Sequence, residues 1–105
     1  MRFTTVTLQR PEGTVLQKNI LVQVDQSTEK EMHDHMQAYM FHGADLYKVT
    51  TLGMPMIPIR RQDVLVDEQF SDEETGAPFR YRVIGRPKTY PYSHQQCYTE
   101  TVIGG

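Results

Sequence analysis

The chain has no tryptophan, one cysteine and no long apolar run, and each shortage removes a class of protein. Cys97 cannot close an internal disulfide, and without a second cysteine there is no thiolate knot for a metal, so the sequence is compatible with a reducing compartment. No stretch approaches the roughly 18 apolar residues of a membrane helix, and no apolar run of signal-peptide length follows Met1-Arg2. The expectation is a soluble protein that stays where it is made. Excess charge of one sign is scarce too: 11 Lys and Arg stand against 13 Asp and Glu, a net charge of −2. Bulk electrostatics therefore point neither to nucleic acid nor to an anionic membrane, and any charge-driven contact is local. With 105 residues, 38% of them hydrophobic, there is room for one domain over 1–105 around a modest core, and a chain this short buries only about 60–65% of its unfolded surface. Some apolar surface is then expected to be completed by neighbouring subunits.

What is present is strand-forming sequence. Residues 63–67 (Asp-Val-Leu-Val-Asp) and 79–86 (Phe-Arg-Tyr-Arg-Val-Ile-Gly-Arg) are short, rich in β-branched and aromatic residues, and separated by a polar loop, which predicts a β-hairpin. Successive strand side chains point to opposite faces, so Phe79, Tyr81 and Val83 are expected to face a core while Arg80, Arg82 and, after Ile84, Arg86 form a cationic stripe. Asp67, Glu68, Asp72, Glu73 and Glu74 give the hairpin an acidic tip. A second hairpin is predicted at the start: a Thr-rich strand over 2–9 with Val6 and Leu8 on one side, a turn at Arg10-Pro11-Glu12-Gly13, and a strand from 14 to about 24. In that second strand Leu16, Ile20, Val22 and Val24 share a face, and Lys18 is the odd member that marks a bulge or an edge.

Thr28 precedes Glu31 at capping-box spacing, and Met32, Met36, Tyr39 and Met40 recur at a helical period. Residues 28–43 therefore read as a short helix or an inserted arm, closed by Gly43. A third strand is expected over 44–51, with Tyr47, Val49 and Thr51 on one face. Pro55 and Pro58 make 53–59 an extended loop, since each lacks a ladder donor, and its apolar Met54, Met56, Ile57 and Ile59 are either tucked under the sheet or offered to a partner. Residues 87–92 read as a stiff connection, and a last strand runs from about 95 to 103. The sum is mainly β: a small antiparallel β-barrel or half-barrel with a long central loop or short helix.

No residue set announces catalysis. His33 and His35 would face away from each other on a helix, where metal pairs use i and i+3 or i+4, so a solvated face is preferred to a metal site, and no cofactor is expected. Cys97 has only His94 nearby in sequence and reads as a half-buried structural residue. The acidic loop lacks the spacing of a calcium loop. Alternating arginines can line a conduit for phosphates or pair across the sheet with Asp63, Asp67 or Glu100. Aromatic side chains could stack bases as oligonucleotide-binding barrels do, but such sites come with a basic groove and this chain is slightly acidic.

The order of these features resembles the head closure, or stopper, proteins of the tailed-bacteriophage head-tail connector. It is carried by the Thr-rich strand ending in Arg10-Pro11, the long central excursion, Arg61-Gln62-Asp63-Val64-Leu65-Val66-Asp67, the Thr75-Gly76 loop, Phe79-Arg80-Tyr81-Arg82-Val83 and a final strand. The resemblance implies a non-enzymatic structural protein of the virion neck, assembled in the host cytoplasm. It would be a small β-barrel that assembles as a homo-oligomeric ring beneath the portal and its adaptor, closes the DNA channel and docks the tail. Its partners would be its own copies, portal or adaptor and tail proteins, and passing DNA without sequence specificity, with no membrane. Arg80, Arg82, Arg86, Met32, Met36, Met40, Met54, Met56 and Ile57 would be the subunit or channel contacts, edge strands would join the copies, and opposite charges on the central hairpin would pair around the ring. Reversing Arg80 and Arg82 to Glu is then expected to impair assembly and spare the fold. The alternative resemblance is to a ubiquitin-like, β-grasp sulfur carrier, on Met1-Arg2-Phe3, the first hairpin, the helix after Thr28 and the terminal Gly104-Gly105.

Overall fold

Six strands close into a barrel. The computed structural model describes residues 1–26, 46–52, 57–91 and 93–102, and in it β1 (Arg2–Gln9), β2 (Val15–Gln26), β3 (Leu46–Leu52), β4 (Val64–Ser71), β5 (Pro78–Tyr90) and β6 (His94–Thr101) follow the order β1-β2-β3-β6-β5-β4 around the sheet. All neighbours are antiparallel, and β1 returns to β4 through Val6 opposite Asp67 and Leu8 opposite Leu65. The sheet is thus a barrel and not a half-barrel. Closure gives each of the six strands two neighbours. Among the described residues the free edges are stretches within strands, 15–21 of β2 on the side away from β1 and 88–90 of β5 on the side away from β6. Among the described residues there is no helix. The arm or helix at 28–43 with Met32, Met36 and Met40, the loop residues Met54 and Met56, and Gly104-Gly105 lie outside the described residues.

Period-2 alternation builds the interior. Val6 and Leu8 of β1, Ile20, Val22 and Val24 of β2, Val49 of β3, Leu65 of β4, Tyr81 and Val83 of β5 and Cys97 of β6 form one buried cluster, with Tyr47 and Phe79 packed against it. Tyr47 meets Tyr81 edge to face with ring centroids 5.7 Å apart, an arrangement that aromatic quadrupoles favour. The bulge suspected at Lys18 is real and lies next to it: pairing jumps from Val6 opposite Ile20 to Leu8 opposite Gln17, and Asn19 takes φ 58°. A second shift follows at once, from Leu8 opposite Gln17 to Gln9 opposite Val15, which skips Leu16. Leu16 is exposed, a correction to its expected place on the core face.

β5 runs farther than its prolines suggest. Instead of a stiff connection, Lys88, Thr89 and Tyr90 pair with Gln96, Gln95 and His94. The ladder is interrupted between Ile84 and Lys88, where Gly85 takes φ 77°. The pairing gap spans Pro87, so the missing N–H is lost at a point where no ladder bond is made.

Because all strands are antiparallel, the barrel has two distinct ends. One holds Arg2, the start of β5 and the loop at 72–77; the other holds Arg10, the segment at 57–63 and the end of β5 at Tyr90. Ile57 and Ile59 are buried at the second end. The Gln95 side chain fixes them there, donating to the Ile57 carbonyl and accepting from its N–H, each at 2.8 Å.

Candidate functional site

Three carboxylates sit where side chains rarely keep a charge. Asp63, Asp67 and Glu100 are 1%, 2% and 2% exposed, and each is matched by an arginine, as burial of a charge requires. At the Arg2 end, Asp67 accepts from the Thr4 hydroxyl at 2.7 Å, the Tyr81 hydroxyl at 3.1 Å and the backbone N–H groups of Gln69 and Phe70 at 2.9 and 3.0 Å. Arg2 reaches the same carboxylate at 3.5 Å and also donates to the Tyr81 hydroxyl. The Arg2 guanidinium carbon lies 4.7 Å from the Phe70 ring centroid and 5.2 Å from that of Phe79, within cation–π range. At the other end, Asp63 accepts from Arg10 at 2.5 Å and from the Arg60 N–H at 2.8 Å, and Arg10 also donates to the Pro58 carbonyl. On the outer wall, Arg82 faces Glu100 directly across β5 and β6 and holds it through Nε and Nη2.

These groups are committed to holding the barrel, and the same packing sets the protonation of Tyr81, Cys97 and Glu68. Burial and the neighbouring Asp67 carboxylate raise the Tyr81 hydroxyl well above its ordinary value. Burial, then the Asp63 carboxylate, push the Cys97 thiol up to about 12. At neutral pH that thiol is protonated and fully enclosed, which is the opposite of an activated nucleophile; it is more deeply buried than its sequence context suggests. Desolvation raises the Glu68 carboxyl, but the Asn19 N–H, the Thr7 and Thr5 hydroxyls and Lys18 outweigh it and hold the group below its usual range. Among the described residues no group of three or more His, Cys, Asp and Glu could hold a metal.

The cationic stripe does not survive as one feature. Arg82 is the internal partner of Glu100, so a reversal to Glu there sets two carboxylates side by side and attacks the fold itself; Arg82 cannot serve as the assembly probe proposed for it. Arg80 is half-buried, with its Nε buried and without a hydrogen-bond partner among the described residues. Ile57 belongs to the core and is tucked, not offered. Asp67 is a buried node and no part of an acidic tip, which reduces to Asp72, Glu73 and Glu74.

Arg86 is different. It lines an open cleft of about 470 Å³ with Arg60, Arg61, Ile59 and Pro87. All three arginines are exposed, and none has a side-chain ion pair among the described residues. Asp63 positions them: its backbone pairs with Val83, and its carboxylate pins the turn that carries Arg60. Arg60 and Arg61 are the members that sequence reading passed over, although two adjacent arginines just after a proline-bearing loop were a usable signal. The result is an open cleft lined by two apolar residues and three arginines, a side-chain set suited to carboxylates or phosphates.

No family model, no curated protein and no solved structure matches this chain.

Proposed function

We propose that this chain is a non-enzymatic structural subunit of a tailed-phage head-to-tail junction, assembling as a ring that closes the DNA channel and offers a docking surface to the tail. One observation carries the reading. The chain forms a closed antiparallel barrel, consistent with the small β-barrel that the resemblance implies, with buried carboxylates locked by arginines and with an arginine cleft and an acidic loop at opposite ends. A rigid block of this kind suits repetition in an assembly, where the loops and end surfaces do the binding. The ubiquitin-like alternative gains no support, since a β-grasp fold wraps an open sheet around a helix and the six strands here close on themselves. The test is a stop codon in the gene within a phage that encodes it. Expected are filled heads that leak DNA and do not take tails, with both defects restored by supplying the protein. Infectious, tailed particles that lack the chain would overturn the reading.

A further inference from the structure

Two charged features were left without partners by the barrel's internal locks, and they lie at opposite ends of the same hairpin. At the Arg10 end stands the cleft of Arg60, Arg61 and Arg86. At the Arg2 end, the loop joining β4 to β5 exposes Glu73 and Glu74 beside Asp72. That loop has a fixed shape: the Asp72 carboxylate accepts from the Glu74 N–H at 2.8 Å, the Asp72 carbonyl from the Gly76 N–H at 2.7 Å, and the Asp72 N–H donates to the Ala77 carbonyl at 2.8 Å. With Asp72 turned into the loop, Glu73 and Glu74 are carried at its tip.

The strands between the two features are eight residues long on the β4 side, which at about 3.3 Å per residue separates them by about 25 Å. That is some three Debye lengths at physiological salt. Within one copy the two charges can neither touch nor feel each other. Between copies they are complementary in sign and in place.

We propose that the Glu73–Glu74 tip of one copy docks in the Arg60–Arg61–Arg86 cleft of the next, giving a head-to-tail contact between copies of this chain. The occupant is a second copy and not a nucleic acid because the chain's net charge of −2 opposes non-specific binding to a phosphate backbone, whereas the acidic tip brings its own match. Planar guanidinium groups bind carboxylates in a fork geometry, and the braced loop loses little freedom on docking. A heterologous contact of this type closes into a ring or runs on as a filament, depending on the rotation between copies. The proposal rests on the self-association in the reading above and names the surfaces that make it.

The test uses two double variants of the full chain, Arg60→Glu with Arg61→Glu and Glu73→Lys with Glu74→Lys. All four side chains are exposed and outside the locks, and thermal melts check that both variants fold. In sedimentation at low salt, the unaltered chain is expected to exceed its 12.2 kDa monomer mass as concentration rises, and to return to it as salt is added. Each variant alone should self-associate at least tenfold more weakly. Mixed one to one, the variants should regain association, because the intact tip of one fits the intact cleft of the other and the reversed cleft and reversed tip are again opposite in sign. An assembly that persists in both variants overturns this contact and leaves the ring to another surface. A monomer at every concentration and salt overturns the contact and the ring together. Binding of a duplex DNA probe that the arginine variant abolishes, with self-association unchanged, overturns it in favour of a phosphate-facing cleft.

Discussion

At the residue scale the fold depends on a few polar side chains that composition alone would place outside. Asp67 takes four hydrogen bonds from Thr4, Tyr81, Gln69 and Phe70 besides its arginine, so Asp67→Ala leaves a guanidinium, two hydroxyls and two N–H groups without their acceptor. Breaking a buried pair of this kind costs about 3–5 kcal/mol, and urea unfolding should show the midpoint falling accordingly with little change in slope. Tyr81 and Cys97 contribute to the pH dependence at the alkaline side and Glu68 at the acid side. For Tyr81 and Cys97 the folded value lies above the unfolded one, so folded chains bind more protons and stability falls as pH rises. For Cys97 that loss begins near the ordinary thiol value of 9.0 and continues to about 12. Cys97→Ala should flatten this limb, and iodoacetamide should label the native thiol far more slowly than the unfolded one. Glu68 is the reverse case: its depressed value gives stability that is present above the ordinary 4.5 and lost as pH falls below it, a limb that Glu68→Gln removes. Little of this was legible in the sequence. Asp67 sits beside Glu68 in an acidic stretch and looks solvated, and only the β1–β4 pairing, which sets it against Val6 and within reach of Thr4, shows that it points inward.

Individual elements were easier to read, because alternation is local and pairing is not. Val6, Leu8, Val22, Val24, Val49, Tyr81 and Val83 all fall on the buried face that their spacing indicates. The misplacements share a cause. Ladders slip there: β2 changes register against β1 twice, beside Asn19 and again at Leu16, and β5 spends four residues against two of β6 between Ile84 and Lys88, next to Gly85. A Lys in an apolar register hinted at the first; Gly85-Arg86-Pro87 hinted at a stop and proved to be an interruption within one strand. Asn19 also gives its N–H to Glu68 at 2.9 Å, tying the bulge to β4. Asparagine tolerates this backbone region and glycine prefers it, whereas a β-branched residue is strained there. Asn19→Gly should therefore leave stability within about 0.5 kcal/mol, and Asn19→Val should cost about 1–2 kcal/mol, both measured by chemical denaturation.

For the whole molecule, closure is the property that local reading could suggest but not fix. The first four strands do not close the barrel among themselves: β3 passes to β6, and the ring is completed only when β1 meets β4, joining Val6 to Asp67 across more than half the chain. Non-local closure has two physical consequences. Loop entropy must be overcome before the closing contacts form, which puts folding in the millisecond-to-second range of β-barrels. Once closed, no strand can leave without breaking two ladders, so the barrel should unfold as one unit. Two groups already in place report this independently, the Tyr81 ring between β4 and β6 and the Cys97 thiol between β3 and β5. Across a urea titration, tyrosine absorbance and pulse labelling of the thiol are expected to give one midpoint. An earlier midpoint for Cys97 would mean that β3 and β6 part while β4 and β5 hold, and that the barrel is two sheets leaning together. A single midpoint makes closure, and with it the fixed distance between the arginine cleft and the acidic loop, a property of every folded copy. That fixed distance is what a repeating head-to-tail contact needs.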